Sequence, residues 1–117
     1  MTHPELVAAL AKDGKDILAG LTPEDCHIMH MALALPGEVG ELIDPIKKSI
    51  IYNKTLDLEN VIEEMGDIEF YLEGLRQAYD IDREEVLAAN IAKLTERYGS
   101  KYSDKAAQER VDKRADQ

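Results

Sequence analysis

The chain has 117 residues, 44% of them hydrophobic and 32% charged, which is enough apolar material for the core of one domain. Fourteen Lys and Arg against 24 Asp and Glu give a formal charge of −10, a poor match for nucleic-acid phosphates or an anionic membrane. One Cys, seven Gly and four Pro exclude a disulfide framework, a Cys-built zinc site and a collagen-like or low-complexity chain.

The apolar period is helical nearly throughout, with no alternating strand pattern and no internal repeat. Leu6, Leu10, Ile17 and Leu21 outline a weak first helix that Gly14 interrupts. Thr22-Pro23-Glu24-Asp25 then reads as a helix start: a hydroxyl N-cap, Pro at the first helical position and acids in the first turn. From there Ile28, Met31, Leu35, Val39, Leu42, Ile46 and Ile50 run at spacings of three and four, the stripe of one long amphipathic helix. Pro36 and Pro45 fall inside it, so a kink is expected near Pro36, with a kink or a restart at Asp44-Pro45.

Tyr52-Asn53-Lys54-Thr55 reads as a loop, and Asp57 as the cap of a third helix. Its stripe is Leu58, Val61/Ile62, Met65, Ile68, Leu72, Leu75 and Tyr79. Asp82 and Glu85 resemble a capping box before a fourth helix carrying Leu87, Ile91, Leu94 and Tyr98, with Gly99 as its stop. Residues 100–117 form a polar tail, where Ser103 can cap a short helix. The expectation is an all-α bundle of four to five helices, with residues 1–99 as one helical domain. No apolar run approaches the roughly 20 residues of a membrane span. The start Met1-Thr2-His3-Pro4-Glu5 has no signal-peptide pattern, so a cytoplasmic protein is expected.

The charge is uneven: residues 1–92 hold 19 acids and 7 bases, while residues 93–117 hold 5 acids and 7 bases. Two acid pairs, Glu38/Glu41 and Glu64/Asp67, stand out by placement. At about 100° per residue, Glu38 lies at the border of its apolar stripe and Glu41 about 60° further round. Glu64 and Asp67 stand in the same relation to the third helix. If the two stripes pack together, four carboxylates converge on one rim, a charge density that a hard divalent cation relieves. The plain alternative is a row of solvated helix-edge acids.

Asn90, Lys93 and Arg97 share one face of the fourth helix and suit a polyphosphate, although cations near a helix C-terminus also follow from the macrodipole. Lys48 and Lys54 are further phosphate candidates, Lys48 projecting on the same side as Glu41 and Lys47 away from it. His27 and His30, on the acid side of the second helix, are candidates for nucleobase or ribose contact, against the simpler reading of polar helix-face histidines. No phosphate loop of the Walker type and no nucleophile with a neighbouring base is present in the sequence.

Glu38-x-x-Glu41, 22 intervening residues and Glu64-x-x-Asp67 resemble the acid motif of the MazG-like all-α nucleoside triphosphate pyrophosphohydrolases. Gly37-Glu-Val-Gly-Glu-Leu42, Glu63-Glu-Met-Gly-Asp-Ile68, Asn90-Ile-Ala-Lys-Leu94 and Arg97-Tyr-Gly99 agree with that likeness, which spans roughly residues 25–105. Pro36 and Pro45 depart from the usually unbroken second helix. The resemblance implies hydrolysis of an NTP or dNTP to the monophosphate and pyrophosphate. Mg²⁺, for which Mn²⁺ can substitute, would be held by Glu38, Glu41, Glu64 and Asp67. Glu63 or a ligand carboxylate would relay the proton, and Asn90, Lys93 and Arg97 would grip the phosphates. It also implies a homodimer or homotetramer, and short relatives are often phage-encoded and act in the host cytoplasm. One related group prefers dGTP and GTP, while others act on phosphoribosyl-ATP or dUTP. The competing class is a non-enzymatic acidic helical interaction module.

Overall fold

The computed structural model describes residues 1–99. Among them are five helices and no strand: α1 (His3–Leu10), α2 (Gly14–Gly20), α3 (Pro23–Ile50), α4 (Leu58–Ala78) and α5 (Arg83–Tyr98). This is the all-α class that the helical period implies. The polar tail and its Ser103 cap lie outside the described residues. Two compact units are present, Met1–Ala78 and the part from Tyr79 onward, so α5 is described by itself.

Local chemistry sets the helix ends. At the start of α3, the Thr22 hydroxyl accepts from the Asp25 N–H at 3.1 Å and the Asp25 carboxylate accepts from the Thr22 N–H at 3.0 Å. Asp57 accepts from the Asn60 N–H at 3.1 Å to open α4, and the Asp82 N–H donates to Glu85 at 3.1 Å to open α5. Gly99 ends α5 at φ 69°, a conformation that suits a residue without Cβ. The N-terminal break differs from expectation. It lies before Gly14, which is itself the first residue of α2, because the Asp13 carboxylate accepts from the Lys15 N–H at 2.9 Å and starts a new helix.

The expected restart at Asp44-Pro45 does not occur. α3 runs for 28 residues through both Pro36 and Pro45. Each Pro lacks the N–H that would reach the carbonyl four residues back, but the Pro45 ring is buried. Asp44 does not cap a new helix; it pairs with Lys48 at 2.8 Å along the same one.

α3 packs against α4. Met31 near the start of α3 meets Gly74 near the end of α4, so the two helices form an antiparallel hairpin closed by the loop at 51–57. The seam on α3 is Ile28, Met31, Leu35, Glu38, Leu42, Pro45 and Ser49, all buried or half-buried at alternating spacings of three and four. On α4 the matching set is Val61, Glu64, Ile68, Tyr71, Leu75 and Ala78. Glu38 and Glu64 therefore stand inside the seam, not at its border. Val39, Ile46 and Ile50 of the expected stripe are exposed instead. The apolar arc of α3 is wider than one partner helix can cover, and α4 takes the side that holds Met31 and Pro45.

Met31, only 5% exposed, is the one buried hydrophobic side chain among the described residues apart from the Pro45 ring. It sits where Gly74 has no side chain: a Cβ built at Gly74 would meet Met31 Sδ and come within 3.0 Å of its Cγ. Gly74→Ala is therefore expected to destabilise the protein by about 1–3 kcal/mol through overpacking. In a Met31→Ala background the same change is expected to stabilise by about 0.5–1 kcal/mol, because only the helix-propensity gain of Ala over Gly is left. Denaturant titrations of the four proteins of this cycle measure both effects, and equal Gly74→Ala effects in the two backgrounds would contradict the close contact.

Candidate metal centre

α3 and α4 each contribute acids to the middle of the seam. One carboxylate oxygen from each of Glu38, Glu41 and Glu64 lies within 4.8 Å of the others. Glu38 and Glu64 are half-buried and Glu41 is exposed. One oxygen of Glu38 and one of Glu64, the Oε2 atoms, are sealed from solvent and have no hydrogen-bond partner. A sealed carboxylate oxygen without a donor is costly, and two of the three clustered acids carry one.

The electrostatics record that cost. Burial pushes the Glu64 carboxyl up to about 6, and a hydrogen bond to Glu41 with repulsion from Glu41, Asp67 and Glu38 adds to the shift. Glu38 is also raised, first by burial and then by repulsion from Glu41 and Asp67. Beside these acids opens a hollow of about 380 Å³ lined by Gly37, Gly40, Glu41, Asp44, Asn60 and Glu64. Cβ positions at Gly37 and Gly40 meet nothing within 4 Å, so the two glycines leave that space clear. Unpartnered anionic oxygens beside open space are the donor set of a hard divalent cation that keeps part of its water shell. The residues fit such an ion.

The structure thus brings together three of the four predicted acids. Asp67 is exposed and close enough to repel Glu38 and Glu64, but stands outside the tight triplet. Glu63 is exposed on α4. Lys48, paired with Asp44, and Lys54 line a smaller hollow next to the first, whereas Lys47 lies over the Tyr52 ring at 5.9 Å. His27 and His30 are exposed, and His30 meets Tyr71 edge to face. Asn90, Lys93 and Arg97 lie on α5 in the second unit, Arg97 half-buried there.

Asn60 was missed in the sequence. It lines both hollows, four residues before Glu64 and thus on the same helix face, a signal the spacing carries.

A family model described as the MazG nucleotide pyrophosphohydrolase domain matches residues 27–100. The chain belongs to the MazG family. The match spans α3, α4 and α5 and so contains every acid of the cluster. No curated protein and no solved structure matches the chain. No helix among the described residues is long and apolar enough to cross a membrane.

The MazG acids have a measurable signature without any substrate. A Glu titrates near 4.5 in the unfolded chain, and Glu64 titrates near 6 in the fold. Between these values the native state binds the extra proton, so this group's contribution to stability falls as pH rises through that window. Thermal melts are expected to show the wild type losing stability relative to Glu64→Gln from pH 4.5 to above pH 6. Added Mg²⁺ or Mn²⁺ is expected to raise the wild-type Tm at pH 7.5 and to do far less at pH 5, where protons compete for the same oxygens. A wild type and variant that melt in parallel across the range would rule out the shifted carboxyl.

Proposed function

We propose that this MazG-family chain hydrolyses a nucleoside triphosphate, or its deoxy form, to the monophosphate and pyrophosphate in a Mg²⁺-dependent reaction. The observation that carries the reading is the pair of sealed, unpartnered oxygens of Glu38 and Glu64 converging with Glu41 in a helix seam. An interaction surface gains nothing from carboxylates placed there, whereas a cation site needs them.

Glu38, Glu41 and Glu64 would hold Mg²⁺, for which Mn²⁺ can substitute, with Asp67 as the fourth acid. A bound cation polarises the α-phosphate and makes water more acidic. The water oxygen forms a bond to the α-phosphorus, the α–β anhydride bond breaks, and pyrophosphate carries away the bonding pair. Glu63 or one of the ligand carboxylates takes the proton from water. Asn90, Lys93 and Arg97 of α5 would hold phosphate oxygens and offset the charge of the leaving pyrophosphate, as would Lys48 and Lys54.

Turnover of a panel of NTPs and dNTPs, dGTP and GTP included, tests this. Pyrophosphate release is expected only with Mg²⁺ or Mn²⁺, and Glu38→Gln is expected to abolish it while the helical circular dichroism is kept. Lys93→Ala and Arg97→Ala are each expected to lower kcat/KM by roughly 10- to 150-fold, the worth of one charge-assisted contact. Full activity in excess EDTA would refute the hydrolase reading. No turnover of any nucleotide, dUTP and phosphoribosyl-ATP included, would leave the acidic interaction module in its place.

The chain would work as a homodimer or homotetramer. At about 100° per residue, Ile43, Ile46 and Ile50 lie on the side of α3 away from Glu41, and Ile62 and Met65 on the side of α4 away from Asp67, with Ile50 at 73% and Ile62 at 62% exposed. A second copy pressing the same face against this one would give each hairpin the core it lacks, with the acid sites outward. Sedimentation equilibrium at micromolar concentration is expected to give at least twice the 13.1 kDa chain mass. A folded, active monomer would overturn this.

A further inference from the structure

The groove beside the acids continues in both directions along the hairpin, and its two ends differ in chemistry. Toward the α3–α4 loop, the hollow beside Glu41 and Glu64 shares Asp44 and Asn60 with a smaller one of about 120 Å³ that Lys48, Lys54 and Thr55 line. Lys48 is paired with Asp44, and Asp57 also lines this hollow, which leaves the Lys54 ammonium, the Thr55 hydroxyl and the Asn60 amide for an anion. Toward the other end lies a hollow of about 270 Å³ lined by His27, Met31, Phe70, Glu73, Gly74 and Gln77. Its walls combine a thioether and an aromatic ring with a polar rim, the composition that receives a flat heteroaromatic ring.

The two hollows lie along one face. At about 100° per residue, His27 and Met31 fall within about 20° of Glu38 on α3, and Gly74 within about 20° of Asp67 on α4. At the level of the far hollow, His30 and Tyr71 meet across the two helices with ring centroids 6.3 Å apart. Met31 and Phe70, the near wall, are seven and six residues from Glu38 and Glu64, about 10 Å along each helix. That is the reach from the phosphates of a nucleotide to its base.

The chemistry of the walls sets the direction. Arg76 Nε and Gln77 Nε2 both donate to the Glu73 carboxylate at 2.9 Å, and these hydrogen bonds hold its carboxyl below the usual range. Paired with Arg76, Glu73 adds no net charge to that end. The thioether and aromatic walls there suit a base, whereas Lys54 and Thr55 at the other end suit phosphate.

We propose that a nucleotide lies lengthwise in this groove, its base in the hollow of His27, Phe70 and Gln77, its α-phosphate at Glu38, Glu41 and Glu64, and its distal phosphates toward Lys48 and Lys54. This orientation rests on the nucleotide reading of the site given above. It makes Phe70 and Gln77 determinants of base preference and Lys54 a reader of the pyrophosphate end.

Steady-state kinetics of Phe70→Ala, Gln77→Leu and Lys54→Ala with triphosphates of the four bases test it, together with inhibition by inorganic pyrophosphate, a probe with no base. Phe70 is 65% exposed, so its truncation is expected to leave the fold intact, which thermal melts check. Phe70→Ala is expected to lower kcat/KM for the best nucleotide by about 10-fold or more, with wild-type inhibition by pyrophosphate. Gln77→Leu is expected to reorder the bases. Lys54→Ala is expected to weaken pyrophosphate inhibition by about 10-fold and to lower kcat/KM equally for every base. The reverse pattern overturns the orientation, as does a Phe70→Ala enzyme with unchanged kinetics. If the wild type turns over nothing, the hydrolase reading falls. Calorimetric binding of non-hydrolysable triphosphates and of pyrophosphate to the same variants then decides the orientation by the same split.

Discussion

Two carboxylates in the seam of a two-helix hairpin are the constraint around which the rest of this chain is arranged. Seam positions are where a coiled hairpin places its apolar side chains, and each acid put there forfeits burial that would hold the helices together. Glu38 and Glu64 lose twice, because each also has a sealed oxygen with no donor and feels repulsion from Glu41 and Asp67. Such an arrangement is stable only with other sources of cohesion, and the chain supplies them at either side of the acids. Toward one end, Met31 fills the space left by Gly74; toward the other, the Pro45 ring is buried. The acids are thus set between two packed stretches, and one oxygen each of Glu38 and Glu64 is left without a hydrogen-bond partner.

The two faces of the hairpin divide the remaining work. One carries the acids and the hollows along the groove, with Gly37 and Gly40 keeping the space beside Glu41 clear. The other carries Ile43, Ile46, Ile50 and Ile62, exposed apolar side chains of a kind that a lone hairpin cannot shelter. An open acidic hollow cannot also be the surface that supplies cohesion, so the apolar area accumulates on the opposite side. The prolines fit this division. Pro45 contributes its ring to the seam, while Pro36 is exposed, and α3 stays continuous through both because a helix packed along its length tolerates a missing hydrogen bond.

Much of this was legible in the sequence because it depends on short-range chemistry. The caps at Thr22, Asp57 and Asp82, the stop at Gly99 and the all-α class follow from residues within one turn of each other. The pairs Glu38/Glu41 and Glu64/Asp67 follow from spacing, and their convergence from the packing of two amphipathic helices. The family was legible for the same reason: its acid motif and its α5 residues are local patterns. What spacing did not decide is which side of a wide apolar arc faces the partner. α3 offers one seam through Val39, Ile46 and Ile50 and another through Met31, Glu38 and Pro45, and the partner helix selects the second. That choice moves Glu38 from the edge into the seam and seals one of its oxygens. It also makes Asn60, Phe70 and Gln77 neighbours of the groove, although none of them stands in the acid motif. Local sequence fixes where helices begin, end and carry charge. Burial, the shifted acidity of Glu64 and the shape of the groove arise only when two helices exclude water between them, because desolvation is a property of the contact and not of either strand of sequence alone.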